Sequence, residues 1–391
     1  MPHWHNWSGK LTAEPAELRF IRSPQDAQAI ARETNQAGRT LRTAGATHSH
    51  APLVVNDDLL LDCKGLAGVR TVDTEQATAW LGAGSPIYTL GEALHRHQLA
   101  LINQGDIDEQ TIAGAVATGT HGTGLTLQNL SASVVGLQLA TADGDLVVAD
   151  RANNADLWRA ARLHLGAFGI VTAVQLQLRP SYCLKETSWQ APLETVLDEV
   201  DRHASQHRHF EFFWYPQEDL AQAKTLTETD LAPTYPLGTE GSRCAWSFEV
   251  LPNHRPHKHT EMEYSIPAEH GVACMRELRT LLEQHFPDVR WPVEYRTLAA
   301  DDVWLSTAYE RDTVTLSVHQ DVRVDDSDYF RACEEIFLQY GGRPHWGKVN
   351  YQNGEQLAAM HPRWADWWQE RDGIDPKGTF LNSYLRSIRP K

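Results

Sequence analysis

At 391 residues, with 41% hydrophobic and 22% charged residues, the chain has the profile of a folded protein of two or three domains, not of a disordered one. Its net charge of -16 is spread along the chain, which argues against nucleic acid or an anionic membrane as partner. No apolar run approaches the ~20 residues of a bilayer span, and the opening MPHWHNWSGK lacks the basic-then-apolar order of a secretory signal.

The elements then follow in chain order. ELRFIR reads as a strand, and Ser23-Pro24 as a helix cap with proline in the first turn and Asp26 behind it. The helix runs through AQAIARETNQ to Gly38, and LRTAG is the next strand. LLLDCKGL and TAWLGAG are further strands, and IYTLGEALHRHQ repeats its apolar residues at helical spacing. Residues 104–124 are dominated by Gly, Ala and Thr. SVVGLQLATADGDLVVA gives two strands across an Asp-Gly turn, and GIVTAVQLQL closes this half. Beyond Arg179-Pro180 tryptophan and histidine become common and longer helices such as GVACMRELRTLLEQHF appear, so a domain boundary is expected there. The five scattered cysteines (Cys63, Cys183, Cys244, Cys274, Cys333) form no CxxC pair, which disfavours a disulfide framework or zinc site and points to a reducing cytoplasm.

Two segments carry chemistry in the first half. In Thr43-Ala44-Gly45-Ala46-Thr47-His48-Ser49, small residues after a strand let backbone N–H groups approach a pyrophosphate. The run from Gly114 to Gly124 (GAVATGTHGTG) combines small residues, hydroxyls and one imidazole. Neither is a GxGxxG fingerprint or a P-loop. In the second half, Glu294-Tyr295-Arg296 on a strand sends Glu294 and Arg296 to one face. The tracts His254 to His259 and His203 to His209 are interleaved with Arg and Lys, which repel a cation, and read as solvated loops. His3 and His5 read the same way, and no metal is expected. Trp364, Trp367 and Trp368 recur at helical spacing and read as core or interface.

Taken together, AGATHS, GDIDEQTIAGAVATGTHGTG and LGAFGIVT resemble the FAD domain of the vanillyl-alcohol-oxidase superfamily. EYRTLAADDVWLS, PHWGK and DPKGTFLNSYL resemble its sugar-1,4-lactone oxidase and alditol oxidase branch, and the likeness runs nearly end to end. Several motifs in one order are far harder to meet by chance than one short pattern. The resemblance implies an α+β fold: a two-subdomain, PCMH-type FAD-binding domain over 1–180, then a substrate domain over 181–391 built on a large antiparallel sheet flanked by helices. Residues from about 345 to 391 would return to the flavin.

It also implies roles. His48 would carry FAD covalently. Thr43, Ala44, Gly45, Ala46, Thr47, Ser49, Asp106, Thr111, Gly114, Ala115, Val116, Ala117, Thr118, Ile170 and His345 would line the cofactor. Glu294, Arg296 and Lys348 would be catalytic, sharing the substrate with Asp106, Met262, Ser317 and His319. Asp106, Met262, Ser317 and His319 depart from the alditol oxidase pattern, so a compact, neutral sugar derivative such as an aldono-1,4-lactone is expected ahead of an open-chain alditol. Gly105, small where alanine would block, suits molecular oxygen as the acceptor. A dehydrogenase using a quinone or cytochrome is the alternative, and an idle sugar-binding relative is disfavoured because His48, Glu294, Arg296 and Lys348 occur together.

Overall fold

The computed structural model describes residues 2–390. A parallel three-stranded sheet comes first, with Leu59–Asp62 between Glu17–Phe20 and Leu41–Ala44. The crossover is the helix Pro24–Gln36, which Ser23 starts: its hydroxyl accepts from the Asp26 amide, and the Asp26 carboxylate accepts from the Ser23 amide, both at 3.1 Å. Behind Gly38, at φ +65°, the chain turns back into Leu41–Ala44. The second sheet is antiparallel and five-stranded, in the order Leu146–Asp150, Val134–Ala140, Ile170–Gln177, Thr78–Gly82, Val69–Asp73. The expected Asp-Gly turn joins its first two strands, with Gly144 at φ +82°. Within the Gly/Ala/Thr-rich stretch, Ile112–Thr118 is a short helix whose Ile112, Ala115 and Val116 enter the core, and left-handed Gly119 ends it.

The third sheet has eight strands, in the order Cys244–Trp246, Cys183–Pro192, Leu220–Thr229, His209–Tyr215, Val293–Leu298, Thr313–Asp321, His259–Pro267, Arg343–Pro344. Strict alternation gives it two unlike faces. Phe210, Phe212, Trp214, Met262, Tyr264, Ile266, Tyr295, Leu316 and Val318 share one core with Cys274, Met275, Leu278 and Leu282 of helix Gly271–His285 and Phe330 and Phe337 of helix Ser327–Gln339. The opposite parity is polar: Glu261, Glu263, Glu294, Arg296, Ser317 and His319 face the first two sheets, and all are buried. The chain then returns. Trp364, Trp367 and Trp368 of helix Trp364–Ile374 pack into the core of the N-terminal half, where the Trp367 indole donates to the Leu163 carbonyl at 3.0 Å. Among the described residues no helix is long and apolar enough to cross a membrane.

Candidate active site

A groove runs between the N-terminal sheets and the polar face of the large sheet. It consists of two connected cavities that share His48, Ser49, Gln110 and Thr118. The first lies over the loop after Leu41–Ala44. Thr43, Gly45, Ala46, Thr47, His48 and Ser49 line it on one side, and Thr111, Gly114, Ala117 and Thr118 on the other. The two sides touch so closely that a Cβ at Gly45 would stand 2.2 Å from the Thr111 hydroxyl, so only glycine fits. The Thr111 hydroxyl and the His164 Nε2 are buried without partners, and both residues line this cavity. Arg42 was not anticipated. Its guanidinium donates to the backbone carbonyls of Leu53, Leu165, Gly166 and Phe380, and burial pushes its pKa down to about 9. It thus brings positive charge to the cavity wall without pairing to a carboxylate. A narrow backbone cradle, unpartnered donors and a cation suit a diphosphate.

Four of the expected cofactor residues, Ala44, Ala115, Val116 and Ile170, line neither cavity with their side chains. Ala115 and Val116 point into the hydrophobic core, because alternate helix faces cannot both see the groove. Ile170 is also core, and its neighbour Val171 lines the cavity instead. Ala44 faces inward too, but its carbonyl accepts from the Cys63 amide and holds the loop to the parallel sheet.

His48 stands where the two cavities meet. Thr47, at φ +63°, turns the chain there, and the Trp7 ring stacks on the imidazole at 5.5 Å between centroids. Burial lowers the pKa of His48, opposed by Glu109 with its carboxylate 3.4 Å from Nε2. A neutral ring keeps a nitrogen lone pair available.

The turn His345-Trp346-Gly347-Lys348 ties the cavities together. Trp346 is buried and donates to the Leu305 carbonyl at 2.7 Å. The Gly347 carbonyl accepts from the His50 amide at 2.7 Å, which sets the loop bearing His48 beside the turn bearing Lys348. The Lys348 ammonium pairs with the Glu261 carboxylate, and that attraction, against burial, holds Glu261 well below the usual carboxylate range. Arg296 lies between two acids: one guanidinium nitrogen is 2.6 Å from Glu263 and 3.3 Å from Glu294. Burial raises the Glu294 pKa to about 8, with Arg296 opposing and Asp106, Glu211 and Glu261 adding to it. His319 is pushed down to about 4 and His345 to about 4, both chiefly by burial, so both rings are neutral.

Glu294, Arg296, Lys348, Asp106, His319 and His345 therefore line one cavity. Met262 does not. It is fully buried between the large sheet and its helices, because Glu261 and Glu263 take the cavity-facing parity of that strand. Ser317 lies beneath the wall, where its hydroxyl donates to Glu263 at 2.9 Å. The histidine tracts also need correction: His259 and His209 are buried, and Arg255 reaches in to pair with Asp106 at 2.5 Å. His3 and His5 are exposed. Glu261 and Glu263 were overlooked, although the alternation E-x-E-x-S in EMEYSIP carries the same signal as E-x-R, and His121 was read only as the imidazole of its glycine-rich run. Among the described residues three groups of buried His and Glu have possible ligand atoms within 4.8 Å of one another. Their carboxylates are those already paired with Lys348 and Arg296.

Two family models match the chain. The FAD binding domain matches residues 15–150, and the D-arabinono-1,4-lactone oxidase model matches 174–240 and 236–388. An L-gulono-1,4-lactone dehydrogenase of Mycobacterium tuberculosis is 33% identical, over 99% of both chains. The chain belongs to the D-arabinono-1,4-lactone oxidase family. Membership makes it an FAD-dependent oxidoreductase. Within the same similarity range, an L-gulonolactone oxidase of Mus musculus is 28% identical and an alditol oxidase of a Streptomyces species 30% identical, each over 98% of both chains. A cholesterol oxidase from B. sterolicum, 17% identical, superposes with a TM-score of 0.84 over 99% of this chain and 96% of its own, which shows the PCMH-type fold.

Proposed function

We propose that the protein oxidises a carbinol of a compact, neutral sugar derivative, an aldono-1,4-lactone ahead of an alditol, with FAD bound through His48 and oxygen as acceptor. The observation that carries this reading is the convergence of Lys348, Arg296 and Glu294 on one buried cavity that opens onto His48. The two cations stabilise the alkoxide-like charge that develops as the hydroxyl proton leaves. Glu294, protonated near neutrality, donates to a second substrate oxygen and orients the carbinol. FAD, when bound, supplies the hydride acceptor. Overall the carbinol would lose one hydride and one proton to become a carbonyl, and oxygen would take up both to give hydrogen peroxide.

The substrate class rests on charge and shape. Asp106, Glu261 and Glu263 line the cavity already paired with Arg255, Lys348 and Arg296, so a uronic or aldonic acid finds no unpaired cation there. The flat faces of Trp291, His50, His259 and His319 suit a rigid ring better than an open polyol. The family and the lactone-oxidising relatives support the same preference. The domain division at 180, with the last stretch returning to the flavin, fits the change from the five-stranded to the eight-stranded sheet and the packing of Trp364–Ile374. Five cysteines, all free, favour a reducing cytoplasm.

The test is direct. The purified protein is precipitated in acid, and the flavin is followed to pellet or supernatant. Anaerobic flavin reduction is then compared on aldono-1,4-lactones and on xylitol. Flavin retained by the pellet and faster reduction by a lactone support the reading. Complete release of flavin removes the bond to His48, and a clear preference for xylitol removes the lactone assignment.

A further inference from the structure

Arg296 is one guanidinium shared by two buried carboxylates, and what stands behind each of them decides the sharing. Behind Glu263 is a ladder of donors. One carboxylate oxygen accepts from His121 Nε2 at 2.9 Å, and the other accepts from Arg296 at 2.6 Å and from the Ser317 hydroxyl at 2.9 Å. The far nitrogen of His121, Nδ1, lies 2.8 Å from the Gly122 carbonyl, which can only accept. Both ring nitrogens of His121 therefore face oxygen acceptors. Attraction to His121 and Arg296 outweighs burial and holds Glu263 well below the usual carboxylate range.

Glu294 has the opposite surroundings. Arg296 of its own strand is the nearest cation at 3.3 Å, and Arg255 stands further out on its loop. Facing it are Asp106 from the loop before the short helix, Glu211 from His209–Tyr215, Glu261 from His259–Pro267, and the neutral ring of His319 from Thr313–Asp321. We propose that Glu263, backed by His121 and Ser317, is a positioning residue that holds Arg296 away from Glu294 and so makes Glu294 the proton-bearing carboxyl of the cavity. Neither Glu263 nor His121 needs to touch the substrate for this. Glu263 fixes a charge distribution in which Glu294 donates a hydrogen bond and Arg296 keeps its unpartnered Nε–H.

The inference rests on the proposed function for its meaning, but its test need not. In the holoenzyme, difference infrared spectroscopy reads a protonated carboxyl band, assigned to Glu294 by its loss in Glu294→Gln. With wild type this band should disappear near pH 8. In Glu263→Gln the neutral amide no longer competes, Arg296 turns to Glu294, and the band should vanish roughly 1–3 pH units lower. The alkaline limb of anaerobic flavin reduction should move with it. Glu263→Asp, shortened by one methylene, should move both in the same direction by less, and it carries the test if the glutamine variant does not retain FAD. A role confined to structure would lower stability or flavin content and leave the band in place. The inference is overturned if either folded variant keeps the wild-type transition, or if wild type shows no such band at neutral pH. If no sugar derivative reduces the wild-type flavin but the band still shifts, the functional reading fails and this inference stands.

Discussion

Replacing Lys348 with methionine removes a charge while keeping most of the side-chain volume. The ammonium is one of three cations that line the cavity, with Arg255 and Arg296, and the one set on the turn that also carries His345. Loss of one preorganised electrostatic donor costs on the order of 10²–10³ in rate, or about 2.7–4 kcal/mol of barrier. A second effect follows from the partner. Glu261 is buried and would lose its principal counter-charge, leaving the neutral imidazoles of His319 and His50 nearby. Breaking a fully buried ion pair costs about 3–5 kcal/mol; Lys348 keeps 22% of its side chain exposed, so the loss of stability should fall below that range. The assay is anaerobic stopped-flow reduction of the flavin at saturating aldono-1,4-lactone, with the visible spectrum and Tm recorded on the same preparation. The expected result is an intact flavin spectrum, a modest fall in Tm and a limiting reduction rate lower by about two to three orders of magnitude. An unchanged limiting rate in a fully loaded, folded variant would refute the assignment of Lys348 to the chemistry.

Stability should fall on acidification from neutrality. Burial holds His50, His209 and His361 down to about 3 and His164, His319 and His345 down to about 4, from an ordinary 6.5, so the unfolded chain binds these protons first. Glu294, raised from 4.5 to about 8, has the opposite sign and gains the fold stability as pH falls through 8, but one such group is outnumbered. A Tm profile that stays flat from pH 7 to pH 5 would contradict this. Met262→Ala should cost about 2–5 kcal/mol through the cavity it leaves in the core, and the ratio of rates on lactone and alditol should not change; a changed ratio would put Met262 back in the site. Gly105 lines the cavity of Lys348 and Glu294, and a Cβ there would stand 3.3 Å from the His121 carbonyl and 3.4 Å from Thr120. Gly105→Ala should therefore slow reoxidation of reduced flavin by oxygen and leave anaerobic reduction near wild type; equal oxygen rates would remove Gly105 as the entry point.

Local chemistry settled much of this protein in advance. The Ser23 cap with Pro24 behind it, the Asp143-Gly144 turn and the helical apolar spacing of 271–285 each depend on neighbours within a few residues, and the structure has them where the sequence places them. The loop from Thr43 to Ser49 was legible as a close-packed turn after a strand, and it lines a cavity; that pattern is weak when read alone, since any tight turn can carry it. Tertiary structure decided which parity of each long strand faces the groove. The strand His259–Pro267 is buried on both sides, so hydrophobicity alone did not choose between Met262 and its neighbours, and pairing with Thr313–Asp321 sent Glu261 and Glu263 inward. It also decided the fate of Arg255 and His259. A basic tract looks solvated when read alone, and Asp106, 149 residues earlier, supplies the first of the charges that draw Arg255 into the cavity, with Glu294 and Glu211 behind it. Whether Glu294 keeps its proton is likewise beyond the sequence, because it depends on four other acids and bases brought together by strand order, and Coulomb energy follows distance in space, not along the chain.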